Sequence, residues 1–348
     1  MADIKIIIPM AGIGKRFAPL TNQRPKPLLR LTDRRLLDHV LDLFQSLEEI
    51  YRLEYVFIIG HLGEQIQEYM QLTHPEKKIS YYEQKQLAGQ SHAVYLAKDA
   101  ISGPILLTYC DTITQTDFSV LQSDPMDGLV WVHEVDDPRR HGVAVMDSGD
   151  LVKKLVEKPN TMEHKSALTG LCYFPDGKKL IESIETQLER EISINNEYYL
   201  ADAINILLEN GARIRTERAL QWLDAGTPEA ILETNAYLLQ HSSRSYSKST
   251  ADASNLVIEP VYVHESAQIQ DSIIGPNVSI GANCTIQRSI LKNTIVDSNS
   301  IITDVTLEHS LVGQDCSVSG SRQPLLAADH KEIVHAIDER NRTRASLS

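Results

Sequence analysis

Ile6-Ile7-Ile8-Pro9-Met10-Ala11-Gly12-Ile13-Gly14-Lys15-Arg16-Phe17, continued by Pro19-Leu20-Thr21 and Arg24-Pro25-Lys26-Pro27-Leu28-Leu29, sets the fold class of this chain. A β-branched apolar run is a buried strand; where it stops at a Gly-x-Gly turn and meets basic side chains, its carboxyl end is suited to face a phosphate. Further short apolar runs follow at Tyr55 to Ile59, Ile105 to Leu107 and Leu129 to Val132. Amphipathic stretches separate them, Leu36 to Leu47, Gly63 to Leu72 and Gln90 to Ala100, and their spacing predicts helices. Strands alternating with helices imply an α/β unit with a Rossmann-like, mostly parallel sheet covered on both faces. Ligands of such sheets bind at the carboxyl ends of the strands, where the glycine turn lies.

The net charge of −13 and the pI of about 5.4 argue against a partner with a phosphate backbone or an anionic membrane, both of which require a basic face. Against that background Lys15, Arg16 and Lys26 stand out as local bases. The four cysteines, Cys110, Cys172, Cys284 and Cys316, are far apart and form no C-x-x-C pair. Neither a zinc site nor a disulfide framework is supported, so reduced, buried thiols are expected. With a strand close to the first residue and no run approaching roughly 18 apolar residues, a soluble cytoplasmic protein is expected.

The α/β pattern continues through Val143 to Val145, Leu151 to Val156, helices at Lys178 to Leu188 and Tyr199 to Glu209, and the loop Trp222-Leu223-Asp224-Ala225-Gly226-Thr227-Pro228. A helix from Glu229 to Leu239 and a polar stretch from His241 to Thr250 follow, placing a domain boundary there. Beyond it Val261, Ala267, Ile273, Val278, Cys284, Ile290, Ile295, Ile301 and Leu307 recur mostly five or six residues apart among small polar residues. Such hexads place one aliphatic residue per turn inside a left-handed parallel β-helix, with Gly, Asn and Asp at the corners. The predicted organisation is 1–240 catalytic, 241–255 linker, 256–318 β-helix of about four coils, and 319–348 a tail able to form a helix or fray.

Gly12-x-Gly14-x-Arg16-x-x-Pro19-Leu20-Thr21 and Arg24-Pro25-Lys26-Pro27-Leu28-Leu29 resemble the opening motif of the sugar-1-phosphate nucleotidyltransferases, whose best-known members are glucose-1-phosphate thymidylyltransferases and uridylyltransferases. Leu87-Ala88-Gly89-Gln90-Ser91, Asp111, Glu157-Lys158-Pro159 and Trp222 to Thr227 follow in the family's order, so the resemblance spans the whole first domain. The trailing hexads occur in longer members too. The resemblance implies Mg²⁺-dependent attack of a sugar 1-phosphate on the α-phosphorus of a nucleoside triphosphate, releasing pyrophosphate. Two polyanions meet in that reaction, so charge neutralisation and in-line positioning dominate the barrier.

Residue by residue, the resemblance implies that Gly12 and Gly14 bring backbone N–H groups to the triphosphate. Lys15 is a further candidate for nucleotide binding. Arg16 clamps the departing phosphates and Lys26 sits between the α-phosphate and the sugar phosphate. Asp111 and Asp224 are the expected Mg²⁺ ligands, with Cys110 standing where the family usually has glycine. Gly142, Glu157 and Lys158 are assigned to the sugar 1-phosphate, and Glu197 resembles a segment near the sugar in which Ala201 replaces threonine. His141 takes the place of an aromatic residue and receives no catalytic role. Gln84, with Gly89 five residues on, matches the spacing of uracil and thymine readers, since an amide both donates and accepts. This favours dTTP or UTP, with glucose 1-phosphate as acceptor.

Two other readings stand beside this one. One is a non-catalytic homologue that only binds nucleotide sugar; retention of Arg16, Lys26, Asp111, Lys158 and Asp224 weighs against it. The other is a bifunctional enzyme whose β-helix acylates an amino sugar, with His264 and His309 as candidate bases. A short β-helix more often packs on the catalytic domain or joins subunits, which makes a homo-oligomer the expected assembly.

Overall fold

Strand β1 (Asp3–Pro9) occupies the middle of the main sheet, with Ile6 and Ile8 buried on one face and Ile7 on the other. In the computed structural model, which describes residues 3–122, 126–147, 149–241 and 254–320, the chain after β1 passes through short 3₁₀ turns to a hairpin of β2 (Arg30–Leu31) and β3 (Arg34–Arg35). Helices α1 (Leu36–Asp42) and α2 (Gln45–Glu48) lead to β4 (Arg52–Ile59), α3 (Gly63–Thr73), β5 (Ile79–Glu83), α4 (Gln90–Leu96) and β6 (Ile105–Leu107). Four strands and a small partner follow with few helices between them: β7 (Thr112–Gln115), β8 (Gly128–Glu134), β9 (Gly142–Met146), β10 (Val152–Glu157) and β11 (Ser166–Phe174). The unit closes with α5 (Gly177–Glu189), α6 (Leu200–Glu209), β12 (Ile214–Arg218), β13 (Gln221–Asp224) and α7 (Pro228–His241).

The order β10-β9-β11-β6-β1-β4-β5 divides the sheet into two halves. β6, β1, β4 and β5 pair in parallel through helical crossovers. β11 enters antiparallel to β6, and β8, β9 and β10 join antiparallel, so the sheet is more mixed than the alternation of elements implied. The reason is connection length: a parallel return needs about a dozen residues or more, and the links among β8 to β11 are mostly shorter and carry no helix long enough to cross over. α1, α3 and α7 contribute to one apolar layer and α4, α5 and α6 to the other.

Residues 256–319 form four coils, their strands stacking in three parallel sheets. This left-handed β-helix has an aliphatic interior of Ile274, Val278, Ile280, Ile286, Leu291 and Ile302, all fully buried. Val261, Ala267, Val278 and Cys284 lie inside as expected, but Ile290 and Ile301 are 42% and 47% exposed and Ile273 is half-buried; the next residue in each case, Leu291, Ile302 and Ile274, points inward instead. Paired aliphatics leave the phase ambiguous by one residue, and one residue reverses a strand's faces. The corners carry Asn277, Asn283, Asn293 and Asn299 at positive φ, with side-chain ladders Asn277 to Asn293 (2.8 Å) and Asn283 to Asn299 (3.2 Å). Gly275 has φ +109°, and a Cβ there would lie 1.9 Å from the Ile258 carbonyl oxygen, so only glycine fits.

Cys110, Cys172 and Cys284 are free and buried, whereas Cys316 is half-exposed. Among the described residues no helix is long and apolar enough to cross a membrane. Most of the linker, and the tail beyond Gly320, lie outside the described residues.

Candidate active site

A cavity of about 1260 Å³ opens at the carboxyl ends of β1 and β6. It gathers Gly12, Gly14, Arg16, Lys26, Gln84, Gly89, Asp111, Gly142, Glu157, Lys158, Glu197 and Asp224, residues drawn from most of the α/β unit. Lys15 is exposed and is not among the lining residues. It shares the first 3₁₀ turn after β1 with Arg16, which does line the cavity, and the sequence could not tell which of two adjacent bases would face inward.

The end of the cavity next to β1 is built by a turn with a left-handed residue. Gly14 has φ +69° and starts the 3₁₀ turn Lys15–Phe17; Thr21 Oγ1 donates to its carbonyl (3.0 Å). At Gly12 a Cβ would meet nothing within 4 Å, so the protein's own packing does not demand glycine there and the open space lies on the cavity side. Lys26 donates to Asp111 Oδ2 at 2.7 Å and lies 5.3 Å over the Phe17 ring. The two groups thus neutralise one another.

Asp111 and Asp224 come from segments far apart in sequence and are joined by the β7–β13 ladder. Thr112 pairs with Asp224, and Ala225 N–H donates to the Asp111 carbonyl (2.8 Å). Burial, with the charge of Asp111 adding to it, pushes the Asp224 carboxyl above its ordinary range against the pull of the Gly226 N–H and Lys26. Two close carboxylates with no full set of ligands around them suit a hard cation that takes its other oxygens from phosphate and water, which is how Mg²⁺ is commonly held. Among the described residues no cluster of three or more His, Cys, Asp or Glu side chains forms a closed metal cage.

The other end of the cavity is a β9–β10 hairpin in which Gly142 pairs with Glu157. A Cβ on Gly142 would stand 3.0 Å from Glu157 Oε2, so the glycine makes room for the carboxylate. Burial raises the Glu157 carboxyl, opposed by Lys158, whose Nζ is 3.8 Å away. Lys158 has φ 45°, its N–H donates to the His141 carbonyl (3.0 Å), and its ammonium lies 5.3 Å over the Tyr199 ring. Tyr199 in turn donates to Glu197 (3.1 Å). His141 stands edge-on to Trp222 at 5.0 Å, and burial lowers its basicity, consistent with a packing role.

Between the two ends, Gln84 is 5% exposed and its Nε2 donates to the Gly89 carbonyl (3.1 Å). Gly89 has φ +101°, and a Cβ would come within 2.4 Å of the Tyr198 nitrogen, so this glycine joins the loop after β5 to the segment before α6. The cavity also includes Arg139, Arg140, Glu229 and Glu233, which the sequence reading did not single out. Arg139 is bound by Asp137 (2.7 and 2.8 Å), the cap of its own turn. The signal for the arginines was a basic pair directly before His141-Gly142; the glutamates, on the first turns of α7, had none.

The cavity of this α/β unit thus carries Arg16 and Lys26 at one end, Asp111 and Asp224 in the middle and Gly142, Glu157 and Lys158 at the other. The nucleotidyl transferase family model matches residues 5–241, and a model described as the GMPPB C-terminal domain matches residues 257–323. The chain belongs to the nucleotidyl transferase family, as a sugar-1-phosphate nucleotidyltransferase. It is 28% identical over 338 residues to the bifunctional protein GlmU of Methanococcus vannielii, covering 89% of this chain and 78% of that one. It is also 28% identical to the low-salt glycan biosynthesis nucleotidyltransferase Agl11 of Haloferax volcanii, covering 95% and 98% of the two chains. A glucose-1-phosphate thymidylyltransferase of Streptomyces antibioticus is 28% identical as well, covering 91% and 94%. Among solved structures, a UDP-glucose pyrophosphorylase complexed with UDP-glucose superposes with TM-score 0.58 at 20% identity, covering 70% of this chain and 100% of that one, a likeness of fold.

Proposed function

We propose that this chain transfers a nucleotidyl group from dTTP or UTP to glucose 1-phosphate, giving a nucleotide sugar and pyrophosphate, with Mg²⁺ as the cation. The observation that carries this reading is the convergence of Arg16, Lys26, Asp111, Lys158 and Asp224 on one cavity large enough for both substrates. A phosphate oxygen of the sugar 1-phosphate forms the new bond to the α-phosphorus, and the bond to the β-phosphate bridging oxygen breaks. Gly12 and Gly14 receive the triphosphate on backbone N–H groups, and Arg16 holds the leaving pyrophosphate. Lys26 leaves Asp111 to neutralise charge at the α-phosphorus, while Lys158 fixes the attacking phosphate and Glu157 accepts from sugar hydroxyls. Asp111 and Asp224 would hold Mg²⁺, which supplies charge neutralisation at the phosphates. Gln84, whose Nε2 is held by Gly89 and His92, accepts from the N3–H of uracil or thymine through its Oε1.

This reading includes a division into a catalytic unit of residues 1–240 and a non-acylating β-helix of residues 256–318, working as a cytoplasmic homo-oligomer without nucleic-acid or membrane partners. His264 bonds Ser266 (2.9 Å) and His309 joins the corner ladder through Asn293 (3.3 Å); neither lines the catalytic cavity. A pyrophosphate-release assay crossing four nucleoside triphosphates with the 1-phosphates of glucose, N-acetylglucosamine, mannose and galactose tests it. Turnover is expected with dTTP or UTP and glucose 1-phosphate; no product from any pair would overturn the reading.

A further inference from the structure

The segment that carries Arg16 and Lys26 has two sides. Its front faces the catalytic cavity, and its back rests on the β-helix. There the Arg24 guanidinium donates to Gln314, Arg30 donates to Asp297 (3.3 Å) and Ser298 (3.5 Å), and Arg35 donates to Asp297 (2.6 Å). Asp297 is 4% exposed. Burial alone would raise its carboxyl, but Arg35, the Ser298 N–H (2.8 Å) and Arg30 together hold it below the ordinary range. Lys26 lies between Arg24 and Arg30, flanked by Pro25 and Pro27, whose rings fix φ and leave little slack for the anchors to move without it.

Asp224 has a second tether to the same β-helix. Thr234 Oγ1 on α7 donates to the Asp224 carbonyl (2.6 Å), and the next residue, Asn235, is fully buried. Asn235 Oδ1 accepts from Thr32 N–H (3.0 Å) and from Ser279 Oγ of the β-helix (2.7 Å). The interface between these anchors is not close-packed. A cavity of about 320 Å³ lies there, bordered by Leu20, Arg24, Arg30, Asp297 and Leu311. Position is therefore set by a few polar anchors. None of these anchors involves the β9–β10 hairpin that carries Gly142, Glu157 and Lys158.

We infer that the β-helix is a positioning element for the triphosphate half of the site, acting through Asp297 on Lys26 and through Asn235 on Asp224. Asp297 is accordingly a positioning residue; it does not touch the reacting atoms. The inference rests on the nucleotidyl-transfer reading only for naming the halves of the cavity.

The test compares the full chain with Asp297→Asn, Asp297→Glu and Asn235→Ala. Amide hydrogen exchange needs no substrate and reads the inference directly. In Asp297→Asn, exchange across residues 14–29 is expected to rise at least tenfold while residues 142–158 stay unchanged, and Asp297→Glu is expected to restore much of the protection. Asn235→Ala is expected to loosen residues 224–234 in the same selective way. With active wild-type enzyme, the KM for the triphosphate rises or kcat falls about tenfold and the KM for the sugar 1-phosphate moves less than twofold. Unchanged exchange at residues 14–29, or an equal rise in both halves, overturns the inference. Failure of the wild type to turn over any substrate pair would instead overturn the functional reading and leave the exchange result to decide this one.

Discussion

In the α/β unit each strand end has its own task, whereas in the β-helix each coil repeats the one before it. β1 ends at the turn of Gly12 and Gly14, β6 leads to Asp111, and β10 ends at Glu157. The β-helix instead stacks Ile269, Ile286 and Ile302 on equivalent sites, with asparagine ladders at its corners. Repetition spreads stability over many similar contacts; specialisation concentrates function in single side chains. A substitution at a strand end of the first region should therefore be read in turnover, and one inside the coils of the second in stability.

The sharpest test of that contrast is Asp111→Asn, which keeps the shape of the side chain but removes its charge and weakens its grip on Lys26. Turnover should fall by about 10³-fold, the scale of losing one preorganised electrostatic group, while the melting temperature stays close to that of the wild type. A large fall in stability with activity intact would break the comparison.

Ile286→Ala makes the opposite test inside the β-helix. Ile286 is fully buried, so the substitution should cost about 2–5 kcal/mol in chemical denaturation. Turnover measured below the transition should be unaltered. Smaller is the effect of Glu157→Gln. Loss of a charged acceptor should raise the KM for the sugar 1-phosphate about tenfold and leave the KM for the triphosphate unchanged, which steady-state kinetics would show.

The smallest expected effect is a pH dependence at the seam between the regions. His39 is buried below the β2–β3 hairpin, and its Nε2–H donates to the Leu31 carbonyl (3.0 Å). Burial, helped by Arg34, lowers its basicity against the opposing charges of Asp33 and Asp42. The unfolded chain thus binds the proton more readily than the folded one. The neutral ring's contribution is present above the unfolded value near 6.5 and is lost as pH falls toward the lower folded value. The slope is at most about 1.4 kcal/mol per pH unit. Denaturation curves of the wild type and His39→Gln between pH 7.5 and 5.5 should converge at the acidic end; parallel curves would assign the dependence elsewhere.

Much of this architecture was legible in local patterns. The apolar run Ile6-Ile7-Ile8 placed a buried strand, and the hexads announced a β-helix, because each is a pattern among neighbouring side chains. The phase of the hexads was not legible at Ile273-Ile274, Ile290-Leu291 and Ile301-Ile302, where either neighbour satisfied the pattern. Nor was the antiparallel half of the sheet, since strand direction follows from connections rather than from composition. One cavity gathers the motif residues apart from Lys15. Arg139, Arg140, Glu229 and Glu233 entered the cavity because folding brought their segments there.

The sequence by itself determined the first strand with its glycine turn, the repeat of the second region and the family to which they point, because these are written in residues near one another along the chain. The tertiary structure decided which base faces the cavity, that Lys26 rests on Asp111, and that Asp297 braces Arg30 and Arg35 from the β-helix. Those contacts join residues far apart along the chain, and their distances exist only once both regions have packed together.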